Sequence, residues 1–365
     1  MNRFIISGGG TGGHIFPAIA IANQLKKEKP DAEILFIGAN GKMEMTRVPE
    51  AGYKIEGLDV FGIRRDLSWS GILNNLKLPF VLLKTIHKAK TIMRRFQPDV
   101  VIGVGGYASG PALRAAQTLK IPTVIQEQNS YPGKTNKWLS KKAVKICVAY
   151  DGLERFFPKE KIVKTGNPVR EAIINFQPKL AEAYSLFDLD KNKKTVLIVG
   201  GSQGARTINE AVLSHIEDIK KMNCQLIWQT GEIFYKTNEM RLKELASKSI
   251  KIVPFINQMN LAYSVADYIV SRAGALAIAE LTIVGAPVIL IPLPTAAEDH
   301  QTANAMQLSD ASAAILLPDK DANEKLFATL KNLMNNLDQA QAMAQNIKLF
   351  ARPNAILEIA REILT

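Results

Sequence analysis

The sequence contains little cysteine and no long hydrophobic run. Cys147 and Cys224 are the only cysteines among 365 residues, and neither lies in a metal-binding or redox spacing. Both stand in apolar, strand-like segments, which predicts buried structural thiols. No apolar run reaches the roughly 18 residues that a membrane-spanning helix requires. The first residues run directly into a strand and a Gly-rich turn, which leaves no room for a signal peptide. We therefore expect a cytosolic protein.

Acidic residues are scarce in the first half of the chain. Residues 1–166 contain 26 Lys and Arg but 13 Asp and Glu, whereas residues 167–365 contain 20 and 21. All of the basic surplus therefore lies in the first half. This asymmetry favours an anionic partner for that half, which could be nucleic acid, anionic lipid or a phosphorylated substrate. The alternative is a solvated surface that is merely basic.

Short apolar runs alternate with helical patterns along the chain. The runs of the first half are 4–7, 33–38, 99–106, 122–128 and 144–150, and those of the second half are 195–201, 224–231, 251–256, 267–274 and 287–293. Continuous apolar strands that alternate with helices predict parallel sheets covered on both faces. The fold class is therefore α/β.

One arrangement occurs twice, since a strand, a Gly-rich turn and a helix follow each other at residue 8 and again at residue 200. The repeat predicts two doubly wound, Rossmann-like domains with a ligand in an interdomain cleft. We expect the domains to span 1–166 and 167–347, with a linker in the segment TGNPVR. The final residues, 348–365, follow a long helical run that Arg352-Pro353 breaks, and they are expected to cross back to the first domain.

Carboxylates are missing where a dinucleotide or a metal-held diphosphate would need them. A dinucleotide site requires an acidic residue at the end of the second strand, but the strands end at Ile37-Gly38-Ala39-Asn40 and at Gln229-Thr230-Gly231. No Asp-x-Asp pair is present near the motifs, where Glu298-Asp299 is the only acid pair. The sequence therefore argues against a nicotinamide or flavin enzyme and predicts no cofactor and no obligatory protein-bound metal.

Seven motifs occur in order over nearly the whole chain. They are GGGTGGHIFPAIA, GVGGYASGP, QEQNSYPGKTNKWL, TGNPVR, GGSQGAR, RAGALAIAE and DHQTANA. Together they resemble the bacterial family that transfers N-acetylglucosamine to the lipid-linked muramyl-pentapeptide precursor of peptidoglycan, which converts lipid I into lipid II. The resemblance implies the two-domain glycosyltransferase B fold. It also implies UDP-N-acetylglucosamine and undecaprenyl-linked lipid I as partners. The expected location is then peripheral, on the anionic cytoplasmic face of the bacterial inner membrane, with no nucleic acid bound.

The resemblance also implies which residues contact the donor. Thr11, Gly12 and Gly13 would lie near the donor sugar and phosphates, and Asn129 would face the sugar. Arg170 and Ser202 would lie at the diphosphate. For Arg170, a plain ion pair with a nearby carboxylate is the alternative.

The remaining implied contacts lie in the second half of the chain. The backbone of Ile256 would read the uracil edge, and Gln301 would contact sugar hydroxyls. Thr302 stands where some family members have a second Gln, which weakens any statement about hydroxyl selectivity. The segment over the ribose and phosphate would consist of Ala275, Leu276, Ala277, Ile278, Ala279 and Glu280. Glu280 would accept both ribose hydroxyls, unless it is an ordinary exposed helix residue.

Transfer requires a general base for the acceptor hydroxyl and stabilisation of the leaving diphosphate. His14 ends the first Gly-rich turn at a helix N-terminus, a position that disfavours the imidazolium and suits a base. Alternatively, His14 only binds a sugar hydroxyl or caps the turn. Glu127 is the second candidate base, with a structural role as its alternative. A single displacement would invert the anomeric configuration.

Residues 72–95 mix more large apolar side chains than one core stripe needs with six Lys and Arg. This composition is typical of helices that rest on an anionic membrane surface, and we expect a helix pair there. A core helix with solvated lysines is the alternative. Two other functions remain open from the residues alone, namely transfer to a different lipid and nucleotide-sugar binding without turnover.

Overall fold

A computed structural model describes residues 2–60, 69–201 and 203–365, with the side chains at 69–79 and 297 outside the description. The chain forms two compact units. One consists of Met1–Val169 with Asn354–Thr365, and the other of Arg170–Pro353.

The first unit is built on a parallel sheet. Its described strands are β1 (Arg3–Gly8), β2 (Glu33–Ala39), β3 (Lys54–Leu58), β4 (Val100–Gly105), β5 (Thr123–Glu127), β6 (Lys145–Val148) and β7 (Ile162–Lys164). Their order is β3-β2-β1-β4-β5-β6-β7. The helices are α1 (Gly12–Glu28), α2 (Glu44–Glu50), α3 (Trp69–Phe96), α4 (Ser109–Thr118) and α5 (Lys134–Ser140), with short 3₁₀ turns at Leu153–Arg155 and Lys159–Lys161.

The second unit repeats the architecture. Its described strands are β8 (Lys194–Val199), β9 (Cys224–Gln229), β10 (Ile250–Val253), β11 (Tyr268–Ser271), β12 (Val288–Leu290) and β13 (Ile315–Leu316), in the order β10-β9-β8-β11-β12-β13. The helices are α6 (Glu171–Ile174), α7 (Ala181–Leu186), α8 (Arg206–Ser214), α9 (Ile216–Lys221), α10 (Glu232–Thr237), α11 (Glu239–Leu245), α12 (Met259–Val265), α13 (Ala275–Val284), α14 (His300–Asp310), α15 (Ala322–Asn335) and α16 (Leu337–Lys348), with 3₁₀ turns at Ala297–Asp299 and Asp319–Asp321. The last helix, α17 (Ala355–Leu364), packs on α1 and belongs to the first unit.

The strand order reverses once in each sheet, between β1 and β4 and between β8 and β11. Phe4 on β1 pairs with Ile34 of β2 on one side and with Val100 of β4 on the other. In open parallel sheets, ligands bind beyond the carboxyl ends of the strands at such a reversal. This rule directs attention to the turns that follow β1, β4, β8 and β11.

The prediction of two doubly wound α/β sheets is confirmed, and all ten apolar runs are strands. The strands β3, β7 and β13 were not predicted from the apolar pattern. Each of these strands lies at an edge of its sheet and keeps partly exposed residues, so it lacks the continuous apolar run of a strand that is covered on both faces.

The unit boundary differs by a few residues from the expected one. Residues 167–169 belong to the first unit, where Asn167 exchanges hydrogen bonds with the side chain of Gln126 and the carbonyl of Gln128. Residues 348–353 belong to the second unit, where the Lys348 side chain packs over Gly285.

The segment 72–95 lies in the single helix α3 instead of the expected helix pair. Among the described side chains of α3, Thr85, Ala89, Ile92 and Met93 are buried. No helix in the described ranges has the length and apolar character to cross a bilayer.

Candidate active site

His14 is held at the carboxyl edge of the first sheet, where β1 and β4 end side by side. It is the third residue of α1, and its Nδ1 lies 3.3 Å from Thr11 Oγ1. The ring lies against Gly105, where a Cβ would come within 2.6 Å of His14 Cδ2 and where φ is +94°. Glycine at 105 is therefore required for this position of the imidazole.

The Gly-rich turn that precedes α1 is fixed by contacts with two neighbouring elements. Gly9 N–H donates to the carbonyl of Gly105, at 3.3 Å. Gly10 N–H donates to the carboxylate of Glu44, at 2.9 Å, so one donor of this turn already serves an anion of the protein itself. Gly12 and Gly13 are the first two residues of α1, and Thr11 is its N-cap.

Glu127 is buried at the end of β5 and is surrounded by donors. Its Oε1 accepts the Asn129 backbone N–H at 3.1 Å, and its Oε2 accepts Asn136 Nδ2 at 2.8 Å. Burial raises the pKa of the Glu127 carboxyl, and these hydrogen bonds oppose the rise. The carboxyl group thus ties the loop that carries Asn129 to the start of α5.

In the second unit, Arg170 and Glu280 form a bidentate ion pair. Arg170 Nε lies 2.6 Å from Glu280 Oε1, and a terminal guanidinium nitrogen lies 2.7 Å from Oε2. Glu280 is 8% exposed, whereas the Arg170 side chain is 55% exposed. The alternative interpretation of Arg170 as an ion-pair partner is therefore observed, and its partner is the predicted ribose ligand.

Tyr263 completes the surroundings of Glu280. Its hydroxyl donates to Glu280 Oε2 at 3.3 Å. Burial, reinforced by the charge of Glu280, raises the pKa of Tyr263 well above its ordinary value, so the hydroxyl remains a donor. Oε2 therefore has two partners, while Oε1 has one and keeps an unused lone pair toward the described residues.

The N-terminus of α13 offers a place for an anion. Gly274 caps the helix without a side chain, and no residue of the first turn is acidic. A helix N-terminus carries a partial positive charge that attracts an anion. The helix spans the predicted segment, in which Ala275, Ile278 and Glu280 are buried and Leu276, Ala277 and Ala279 are partly exposed. Ser202, on the second Gly-rich turn, lies outside the described residues.

Gln229 connects the second Gly-rich turn with Ile256 at the carboxyl edge of the second sheet. Its Nε2 donates to the carbonyl of Gly201, at 2.9 Å, and its Oε1 accepts the Ile256 N–H, at 3.0 Å. The Ile256 N–H is therefore already used inside the protein. Its carbonyl receives no hydrogen bond from the described residues and is the atom available for a base edge.

Gln301 lies on the first turn of α14, after a strained segment. Its Oε1 accepts the Leu293 N–H at 3.0 Å, which leaves the amide nitrogen for other partners. Glu298 and Asp299 both have left-handed φ angles, of 55° and 51°. The Thr302 hydroxyl donates to Asp299 Oδ1 at 2.7 Å, so Thr302 stabilises this backbone. Strain of this kind is often found at ligand sites.

Sequence reasoning missed four supporting residues. Tyr263, Gln229 and Asn136 each bond a predicted residue, namely Glu280, Ile256 and Glu127. Glu44 bonds Gly10, which precedes the predicted turn residues. Only the cluster of amides in the QEQN segment could have indicated such supporting residues, since buried amides must find hydrogen-bond partners.

Neither cysteine takes part in a site. Both thiols are buried, as expected, and burial raises the pKa of Cys147 to about 12, which keeps it protonated and inert. Among the described residues, no group of three His, Cys, Asp or Glu could hold a metal ion. The expectation of metal-independent transfer stays a prediction.

Comparison with known proteins adds independent information. Residues 4–148 match the model of the glycosyltransferase family 28 N-terminal domain, and residues 195–359 match that of the family 28 C-terminal domain. A UDP-N-acetylglucosamine–N-acetylmuramyl-(pentapeptide) pyrophosphoryl-undecaprenol N-acetylglucosamine transferase of Cytophaga hutchinsonii is 51% identical over 99% of this chain and 96% of its own length. The protein of the same name from Flavobacterium psychrophilum is 49% identical over 99% of this chain and 97% of its own length.

A solved structure agrees with these relatives. The crystal structure of Acinetobacter baumannii MurG superimposes with a TM-score of 0.81 at 31% identity, and the match covers 100% of this chain and 99% of that one. The similarity therefore extends over both units and not over a single shared domain.

Proposed function

We infer the roles of individual residues from the premise that this chain belongs to glycosyltransferase family 28. It is an N-acetylglucosaminyltransferase that uses UDP-N-acetylglucosamine and the lipid-linked muramyl-pentapeptide, and its product is lipid II. The observation that carries this assignment is the identity of about 50% to transferases of that name over the whole chain.

The assignment is tested by turnover. Purified protein, UDP-N-acetylglucosamine and a water-soluble lipid I analogue should yield UDP and the disaccharide product. Diacylglycerol replaces the analogue in a parallel reaction, because transfer to another lipid is the rival activity. UDP-sugar binding without turnover on either acceptor would instead support a nucleotide-sugar sensor.

We propose that the second unit binds the UDP moiety. The α13 N-terminus receives the diphosphate, because its first N–H groups carry no acidic cap. The Ile256 carbonyl accepts the N3–H of uracil, since its N–H is bound to Gln229. Glu280 accepts a ribose hydroxyl through the lone pair that Arg170 and Tyr263 leave unused. The Gln301 amide nitrogen donates to a sugar hydroxyl.

Arg170 has two roles in this proposal. Its pair with Glu280 keeps that carboxylate oriented while no donor is bound, and its exposed guanidinium is free to turn toward the diphosphate. Partial burial lowers the pKa of Arg170, whereas the hydrogen bonds and the charge of Glu280 raise it, and the net effect is a rise. Arg170 therefore keeps the positive charge that the diphosphate needs. Ser202 is proposed as a further diphosphate donor from its motif alone.

We propose that His14 is the general base and that Glu127 is a positioning residue. Glu127 is committed to donors from Asn129 and Asn136, so its carboxylate is poorly placed to take a proton from an acceptor. His14 lies on the turn with Thr11, Gly12 and Gly13, at the carboxyl edge where ligands bind such sheets. Attack by the activated hydroxyl on the anomeric carbon, as UDP departs, inverts the α-linked donor to a β-linked product.

The first prediction concerns metal. Activity with a water-soluble acceptor should survive EDTA, because a helix N-terminus and Arg170 supply the charge that a metal would otherwise offer the diphosphate. UDP release is the measurement. A complete loss that Mg²⁺ or Mn²⁺ restores would show that a metal carries this charge.

The second prediction concerns the membrane. We propose that the exposed face of α3 docks on the anionic cytoplasmic surface of the cell membrane. Phe80 and Leu83 are 77% and 66% exposed, and Lys84, Lys88 and Arg94 are exposed on the same helix. Each cation contributes about 1 kcal/mol at most, and salt screens part of it. Replacing the three cations by Gln should therefore weaken partitioning by up to about 150-fold, the equivalent of about 3 kcal/mol, and by less as salt screens these charges.

The measurement is co-sedimentation with vesicles of anionic or neutral lipid. Arg95 is left unchanged because it pairs with Glu56. The matched control replaces Lys193, Lys320 and Lys331, which are exposed on the second unit. Equal loss in both triple variants would indicate a general charge effect, and full sedimentation of the α3 variant would exclude this face.

A further inference from the structure

Glu44 is a fully buried carboxylate that the transfer chemistry described above does not use. It is the first residue of α2, and its exposure is 0%. Oε2 accepts the Gly10 N–H at 2.9 Å, and Oε1 accepts the Ala39 N–H at 3.0 Å. One side chain thus connects the Gly-rich turn after β1 with the end of β2.

Two glycines leave the space that this carboxylate occupies. A Cβ at Gly9 would come within 2.2 Å of Glu44 Oε1, and a Cβ at Gly38 would come within 2.6 Å of Glu44 Cγ. Neither residue requires glycine for a left-handed backbone, since neither has a positive φ. Close packing around Glu44 therefore explains the absence of a side chain at Gly9, and close packing around Glu44 together with Ile55 Cδ1, at 2.8 Å, explains it at Gly38.

We infer that Glu44 is a positioning residue for the transfer reaction, an inference that rests on the proposed function. It fixes the turn that leads into α1 and so holds His14 against Gly105. Hydrogen bonds to an ionised acceptor are shorter and stronger than neutral ones, and a carboxylate near a helix N-terminus is favoured. A buried carboxylate with two backbone donors is therefore a rigid attachment for an otherwise glycine-only loop.

A second consequence concerns what binds at this turn. A negative charge already lies on the Gly10 N–H, so a phosphate at the same donors would meet an anion in a site of low dielectric. Uncharged sugar hydroxyls do not face this repulsion. The first Gly-rich turn thus serves sugar hydroxyls, while the diphosphate is left to the second unit.

The test is Glu44→Gln, which keeps the side-chain volume but turns one acceptor into a donor that faces a backbone N–H. We expect kcat to fall by about 100-fold, the size of effect that a misplacement of about 1 Å produces. The Kd of UDP, which lacks the sugar, should stay within about twofold of wild type, because the proposed UDP ligands lie in the second unit. The matched control is Glu50→Gln, an exposed residue of the same helix.

Gly38→Ala provides an independent displacement of the same carboxylate if Glu44→Gln does not fold. Gly57→Ala is its control, because the nearest atoms to a Cβ there belong to Asn40, which follows β2, and to Met45, and not to Glu44 itself. If Gly38→Ala and Gly57→Ala lower the melting temperature by the same amount, we expect kcat to fall in Gly38→Ala but not in Gly57→Ala. An equal fall in both variants, or a kcat for Glu44→Gln within twofold of wild type, overturns the inference. Absence of turnover in the wild-type protein would contradict the proposed function instead.

Discussion

Replacing His14 by alanine is expected to lower kcat by about 10²- to 10⁴-fold, the usual contribution of a general base. The affinity for UDP should stay near wild type, since the proposed UDP ligands lie in the second unit. Initial rates with a soluble lipid I analogue measure the first quantity, and calorimetry with UDP measures the second.

His14→Gln separates the two roles that remain possible for this residue. Glutamine can bind a sugar hydroxyl or cap the turn, but it cannot accept a proton near neutral pH. If His14 is the base, His14→Ala and His14→Gln should be similarly slow. If His14 only binds a sugar hydroxyl, His14→Gln should keep most of the wild-type rate. His87→Ala, at an exposed position of α3, is the control for loss of an imidazole elsewhere in the first unit. If His14→Gln is nearly as active as wild type, His14 is not the base.

The central strands could be predicted from the sequence, because burial on both faces leaves a continuous apolar run. FIIS and TVLIVGG are such runs, and each forms the strand beside the reversal of its sheet. The edge strands β3 and β13 are short and keep partly exposed residues, so they lack such a run, whereas the edge strand β10 was predicted from its own apolar run. The motifs then identified the turns at the strand ends, because their glycines and polar residues interrupt the apolar pattern.

The partners of those motif residues could not be predicted, because they come from distant parts of the chain. Arg170 and Glu280 are 110 positions apart and yet form one ion pair. Gln229 and Ile256 are likewise brought together only by the pairing of β9 and β10. A single sequence carries no record of such distances, so it indicated the residues of the site but not which donors were already occupied. The catalytic and binding roles assigned to these residues stay predictions.

Replacing Glu280 by alanine is expected to weaken UDP binding by about 1.5–3 kcal/mol, the usual value for hydrogen bonds to a charged group. The ion pair with Arg170 offers a second explanation for such a loss, because removing Glu280 also frees the guanidinium. Calorimetry with UDP and with its 2′,3′-dideoxy analogue distinguishes the two. If Glu280 binds the ribose, wild type should lose affinity for the analogue and Glu280→Ala should bind both ligands alike. If instead the variant loses equal affinity for both ligands, Glu280 acts through Arg170, and Arg170→Ala should then reproduce the loss. Unchanged affinity for UDP in Glu280→Ala would exclude Glu280 from the donor site altogether.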